Sequence, residues 1–276
     1  MDMNMRRILL LAALVAAVAC GQKKSEPQKA LVLYYSQSAG TKTVAETIQT
    51  LIGADIEAIV PVVPYDGTYQ ETVERGRQER EAGILPELQP LQADLNAYDV
   101  IFLGYPIWFG TYAPPMAALL EQVDLNGKKV VPFCTFGSGG LVASVAALRA
   151  KFPDAEILDG YGVRAARLAA VPSEVEKFLK QNGFLAGDVA PVADFSASHP
   201  ASAEEAALFD QAVGDYPMIN ATATEAASRP VEGGTEYLFT AVDKPREGAP
   251  QGEPAPFKVY VLALDGQAPE FTQVVR

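Results

Sequence analysis

Cysteine, histidine, tryptophan and positive charge are all scarce in this chain of 276 residues. It has only two cysteines, Cys20 and Cys134, too few for a disulfide framework. Its one histidine, His199, has no second imidazole to share a metal with and lies in a stretch that reads as a linker, so zinc chemistry and a Ser–His pair are both excluded. Lysine and arginine total 22 against 34 acidic residues, a formal charge of −12 that should repel nucleic acid and anionic membrane surfaces. No Gly-x-x-x-x-Gly-Lys-Ser/Thr loop is present, and no Gly-x-Gly-x-x-Gly follows the first strand, which removes nucleoside-triphosphate and dinucleotide loops. The longest apolar run, Ile8 to Ala19, is too short to span a bilayer and suits a signal-peptide core.

What is present is a regular alternation. From Ala30 to Asn182 short apolar runs alternate with longer amphipathic ones. Strands are expected at Ala30–Tyr35, Asp55–Val60, Asp99–Tyr105, Lys129–Cys134 and Glu156–Tyr161. Helices are expected at Thr41–Leu51, Tyr69–Glu81, Tyr112–Glu121, Leu141–Lys151 and Ser173–Gln181. Uninterrupted apolar strands such as Val100-Ile101-Phe102-Leu103 suit a parallel sheet covered on both faces. Strand–helix alternation then implies a doubly wound α/β sheet of five strands, with ligands bound outside the carboxyl ends of the strands.

Three loops fall at that edge. The first, Ser36-Gln37-Ser38-Ala39-Gly40-Thr41-Lys42, carries small and hydroxylated residues into a helix N-terminus, where outward N–H groups and the helix dipole favour an anion. The second, Pro106-Ile107-Trp108-Phe109-Gly110, offers flat aromatic surface for a ring. The third, Thr135-Phe136-Gly137-Ser138-Gly139-Gly140, can present backbone donors. A phosphate on one side and a planar heterocycle on the other is what flavin mononucleotide (FMN) needs. Trp108 is the favoured ring partner, a core position being its alternative, with Tyr112 and Phe136 as secondary candidates. Cys134 ends a buried strand and reads as core. No catalytic acid–base pair and no metal site are expected.

The first loop resembles the flavodoxin phosphate loop, with Ser36, Ser38 and Thr41 at the hydroxyl positions, Ala39 in place of the usual glycine and Gly40 in place of asparagine. Tyr105-Pro106-Ile107-Trp108 and Asp124 to Phe133 resemble the flavodoxin-like group that carries a Tyr-Pro-Ile-Trp segment. The resemblance covers about residues 30–184. It implies FMN held by residues 36–42, 106–110 and 135–139, and a redox role as electron carrier or small flavin reductase working with a partner protein or a small acceptor.

The ends of the chain read differently. Arg6-Arg7 followed by the apolar run and Ala17-Val18-Ala19-Cys20 resembles a bacterial lipoprotein cleavage box, implying a signal peptide over 1–19, lipid on Cys20, a tether over 20–29 and an exported, membrane-anchored protein. A plain secretory signal, or twin-arginine export, is the alternative. Residues 185–202 read as a linker. Helix Ala203–Val213, then strands Ala221–Ser228, Gly234–Val242, Pro256–Leu264 and Glu270–Val275, form an α+β pattern over 203–276, with Lys244 to Glu253 as a long hairpin loop. Arg229-Pro230-Val231-Glu232-Gly233-Gly234-Thr235-Glu236-Tyr237 and the preceding Phe209 to Tyr216 resemble the first hairpin and the helix end of cystatins. Arginine stands where that family has glutamine, which implies a docking or stabilising module more than a protease inhibitor. A non-redox envelope protein that uses this domain to bind a partner is the competing functional reading.

Overall fold

The computed structural model describes residues 28–214, 216–245 and 254–276. The expected signal peptide, Cys20, most of the tether and most of the Lys244–Glu253 loop lie outside those residues.

Along the chain the elements are β1 (Ala30–Tyr34), α1 (Gly40–Ile52), β2 (Asp55–Ala58), α2 (Tyr69–Ala82), β3 (Val100–Trp108), β4 (Thr111–Tyr112), α3 (Pro114–Leu120), β5 (Lys129–Phe136), α4 (Leu141–Lys151), β6 (Glu156–Ile157), β7 (Tyr161–Arg164) and α5 (Val171–Gln181). The parallel strands take the order β2-β1-β3-β5-β6, with β7 continuing beside β5. The chain leaves β1 for β2 on one side and then returns to place β3 on the other, so the topological switch lies between β1 and β3.

The period of two along each strand divides the core. Leu31, Leu33, Ile101 and Leu103 face α3 and α4, whereas Val32, Phe102 and Val131 face α1 and α5. On α5, Val171, Val175 and Leu179 recur every fourth residue and are buried. Burying each such aliphatic side chain contributes about 1.5–3 kcal/mol, which is what holds two helical layers to one sheet. Gly104 marks a tight point between β3 and β5. A Cβ there would lie 2.1 Å from the Phe133 ring, so a side chain on β3 would collide with β5.

Two expectations need correction. Strand β3 does not end at Tyr105. It runs through Trp108, turns at Phe109 and Gly110 (φ 53° and 84°) and pairs with β4 as a hairpin, which pushes the start of the next helix from Tyr112 to Pro114. The single strand expected over Glu156–Tyr161 is two short ones, β6 and β7. The Val130 carbonyl accepts from the Leu158 amide, so two residues on, the missing amide of Pro132 falls on the same side and the ladder cannot continue there.

The second unit comprises β8 (His199–Pro200), α6 (Ala203–Val213), β9 (Ala221–Val231), β10 (Gly234–Asp243), β11 (Phe257–Leu264) and β12 (Glu270–Val275). They form a separate antiparallel sheet in the order β12-β11-β10-β9-β8. Its core gathers Phe209, Phe239, Val259, Val261 and Phe271, and alternation along β11 leaves Lys258 outside. The segment read as a linker ends in β8, and the Ser196 amide donates to the Ser228 carbonyl, so its last third is paired to this sheet.

Candidate functional site

The three loops meet at the carboxyl ends of β1, β3 and β5, around a cleft of about 890 Å³. Helix α1 opens at Ala39, a non-glycine residue at φ 62° whose side chain cannot cap the helix. Helices α2 and α6 open with complete capping boxes from Thr68–Glu71 and Ser202–Glu205. Ser36 caps the Lys42 amide from outside the helix, which leaves the Gly40 and Thr41 amides without a side-chain oxygen, the arrangement an anion would complete.

Of the first loop, Gln37 and Ser38 line the cleft. Ser36 Oγ accepts from the Lys42 amide at 3.1 Å, and Thr41, 1% exposed, bonds Thr135 Oγ1 at 2.8 Å. Both hydroxyls thus brace the loops from behind. Gly40 is buried against Leu168 and Thr135, and the Lys42 ammonium pairs with Glu46 one turn along α1. Gln37 accepts from the Tyr35 hydroxyl at 2.7 Å and donates to the Tyr65 carbonyl.

The whole second loop, Pro106 to Gly110, lines the cleft. Trp108 is half-buried, edge-on to Tyr65 at 5.2 Å and to Tyr35 at 6.2 Å. Gly76 of α2 lies against the Trp108 and Phe109 rings. Phe109, at the turn, is exposed. Thr135 to Gly139 line the opposite part, with Phe136 buried at the base. Tyr112 packs on Tyr105 at 5.8 Å and Cys134 is fully buried, where desolvation pushes its thiol well above the ordinary range. His199 is exposed beside Glu205 and stands away from the cleft lining.

A family model described as flavodoxin matches residues 29–183, just over half of the chain. The chain belongs to the flavodoxin family.

Its cofactor is FMN. Over 95 residues the chain is 37% identical to an NAD(P)H dehydrogenase (quinone) of Gluconacetobacter diazotrophicus, and the match spans 34% of this chain and 46% of that protein. Among solved structures it is similar to a flavoprotein from Lactobacillus acidophilus NCFM in complex with FMN, at 28% identity, 53% coverage of this chain, 99% of that one and a TM-score of 0.44. The corresponding values for oxidised flavodoxin 2 from Bacillus cereus are 19%, 55%, 99% and 0.36.

This flavodoxin domain has cleft residues that loop motifs alone do not reveal. Tyr69, Thr72 and Val73 come from α2, and Val142, Ala143 and Ala146 from α4. Their helical spacing is a visible signal, although it does not say which face meets a ligand. Tyr216, Met218 and residues 273–276 come from the second unit, and nothing in their local sequence points to the site. Among the described lining residues there is no acidic side chain and no histidine. The chain can therefore bind, orient and shield a cofactor, with no side-chain acid–base pair visible among those residues.

Proposed function

We propose that this chain is an envelope-anchored FMN-dependent redox protein, acting as an electron carrier or a small flavin reductase. The observation that carries the reading is the convergence of a helix N-terminus with unpaired leading amides, an aromatic hairpin and a glycine-rich loop on one cleft at the topological switch. In this reading Ser38 and the α1 amides hold the phosphate. Trp108 and Phe109 flank the ring, and Thr135, Gly137, Ser138 and Gly139 supply donors to its polar edge. FMN, when bound, supplies the electron transfer, and the protein supplies binding and orientation. The relative named as a quinone dehydrogenase supports a reductase over a pure carrier.

The domain reading is a flavodoxin-like unit over 30–184, a linker over 185–202 and a cystatin-like unit over 203–276. A helix followed by an antiparallel meander with a tight turn at Glu232–Gly233 supports the last part. Arg229 is tied to Glu236 at 2.6 Å and lies over the Phe195 ring, which favours a structural hairpin over an inhibitory wedge. Anchoring rests on the sequence alone, through lipid on Cys20.

Two measurements test the reading. Protein folded in its native compartment should purify yellow and release FMN on denaturation; a colourless protein that takes up no FMN overturns the redox assignment. Wild type should fractionate with membranes and Cys20→Ser should not, whereas a soluble wild type removes the anchor.

A further inference from the structure

The second unit is fastened to the third loop. The Val274 amide of β12 donates to the Ser138 carbonyl at 2.7 Å, and Gly139 bridges Val274. A Cβ on Gly139 would fall 2.0 Å from the Val274 carbonyl oxygen, so only glycine allows this approach. From β7, Arg164 grips both sides: Nε donates to the Gly137 carbonyl at 2.9 Å and Nη1 to the Phe271 carbonyl at 3.1 Å, with the guanidinium 3.4 Å over the Phe271 ring. Behind it the buried Arg167 joins Glu174 at 2.7 Å to Glu270 of β12 at 2.5 Å.

These contacts deliver one polar side chain of the second unit to the cleft. Tyr216 follows α6 and is part of the lining. Its amide donates to the Val213 carbonyl at 3.2 Å and its carbonyl accepts from the Ile219 amide at 3.1 Å, which ties the backbone on both sides. The half-buried ring packs on Phe271 at 5.1 Å between centroids, and the Arg164 guanidinium lies 5.2 Å from its centroid. A Cβ on Gly137 would meet a single atom within 4 Å, the Tyr216 hydroxyl oxygen at 2.7 Å. Gly137 does not have a positive φ, so backbone conformation does not call for glycine there and room for the hydroxyl does. Among the described residues that hydroxyl has no hydrogen-bond partner. A phenol held by its ring keeps its O–H and lone pairs for a ligand and has little rotamer freedom left to lose on binding.

We propose that Tyr216 is a cofactor-binding residue supplied by the second unit, its hydroxyl hydrogen-bonding the polar edge of the flavin ring beside Gly137. The proposal rests on the FMN reading above and carries it beyond residues 29–183, the span matched to the flavodoxin family. The cofactor site is built by both units, and Arg164 and the β12 contacts hold its two parts in register.

The test titrates the FMN-free full chain with FMN and, separately, with riboflavin, read by flavin fluorescence. Tyr216→Phe keeps the ring on Phe271 and removes only the hydroxyl, so the urea midpoint of the FMN-free protein should not move. Both flavins should bind the variant about fivefold more weakly, as for one lost hydrogen bond. The visible bands of the bound flavin should shift, because a partner at the ring edge is gone. Unchanged affinity with an unchanged spectrum overturns the proposal and leaves the flavin reading standing. A loss for FMN with none for riboflavin would put Tyr216 at the phosphate and overturn the ring-edge assignment. Weaker binding with unchanged bands and a lowered urea midpoint would make Tyr216 a packing residue and overturn it too. A wild type that binds neither flavin overturns both readings.

Discussion

Thr41 and Thr135 place their hydroxyl oxygens 2.8 Å apart in the buried floor between the first and third loops. They are 94 residues apart in sequence, and one hydrogen bond holds the start of α1 against the end of β5. Replacing Thr135 by valine leaves the Thr41 hydroxyl buried without its partner. A loss of about 1–3 kcal/mol of stability is expected, read from the urea midpoint at constant slope. Thr41→Val/Thr135→Val should recover part of the loss, because no polar group is then stranded. A double variant as unstable as the sum of the singles would show that the hydroxyls do not act as a pair.

The Ser38 side chain is exposed at the end of the cleft nearest α1. A new charge there opposes a dianionic phosphate directly. Ser38→Asp should weaken FMN by about tenfold or more, and riboflavin, which lacks the phosphate, by much less. Comparing the two dissociation constants by fluorescence titration decides it: equal losses would move the phosphate elsewhere.

Trp108 is already engaged on its edges by Tyr35, Tyr65 and Gly76, so truncation loosens the hairpin as well as any ring contact. Trp108→Ala is expected to weaken FMN by roughly tenfold or more and to restore emission from the bound flavin. Trp108→Phe should keep most of the affinity. Unchanged quenching in the alanine variant would assign Trp108 to packing alone and leave Phe109 or Phe136 against the ring.

Burial opposes the charge on Arg167, and the hydrogen bonds and charges of Glu270 and Glu174 more than offset it, so its pKa lies above the ordinary arginine value. Arg167→Met removes the cation and leaves two carboxylates facing each other across the contact between the units. Both are partly solvated, so the expected cost is about 1–3 kcal/mol, below the loss for a fully buried pair. Calorimetry should show two separated transitions in the variant; a single transition at the original temperature would mean that the ion pairs do not couple the units.

The α/β order, helix α4 at its observed bounds, the antiparallel unit and the three loops at the carboxyl edge of the sheet were all legible in sequence, because each rests on a local period or on turn chemistry within a few residues. Uninterrupted strands such as Val100 to Leu103 announce burial on both faces, and glycines with hydroxyls after a strand announce a turn into a helix. Local pattern failed where a non-glycine residue takes a positive φ and where the deciding partner is remote in sequence. The Trp108–Tyr112 hairpin depends on a two-residue turn at positive φ, and the break between β6 and β7 depends on a proline in the neighbouring strand.

Most of all, the wall formed by Tyr216, Met218 and β12 follows from how the two units dock. That docking is set by one glycine opposite a carbonyl, one arginine on a ring and one buried ion pair. Sequence by itself determined which segments fold and which loops gather at the carboxyl edge of the sheet. Only the tertiary structure decided what else lines the cleft, because contacts between residues more than a hundred positions apart leave no period in the chain.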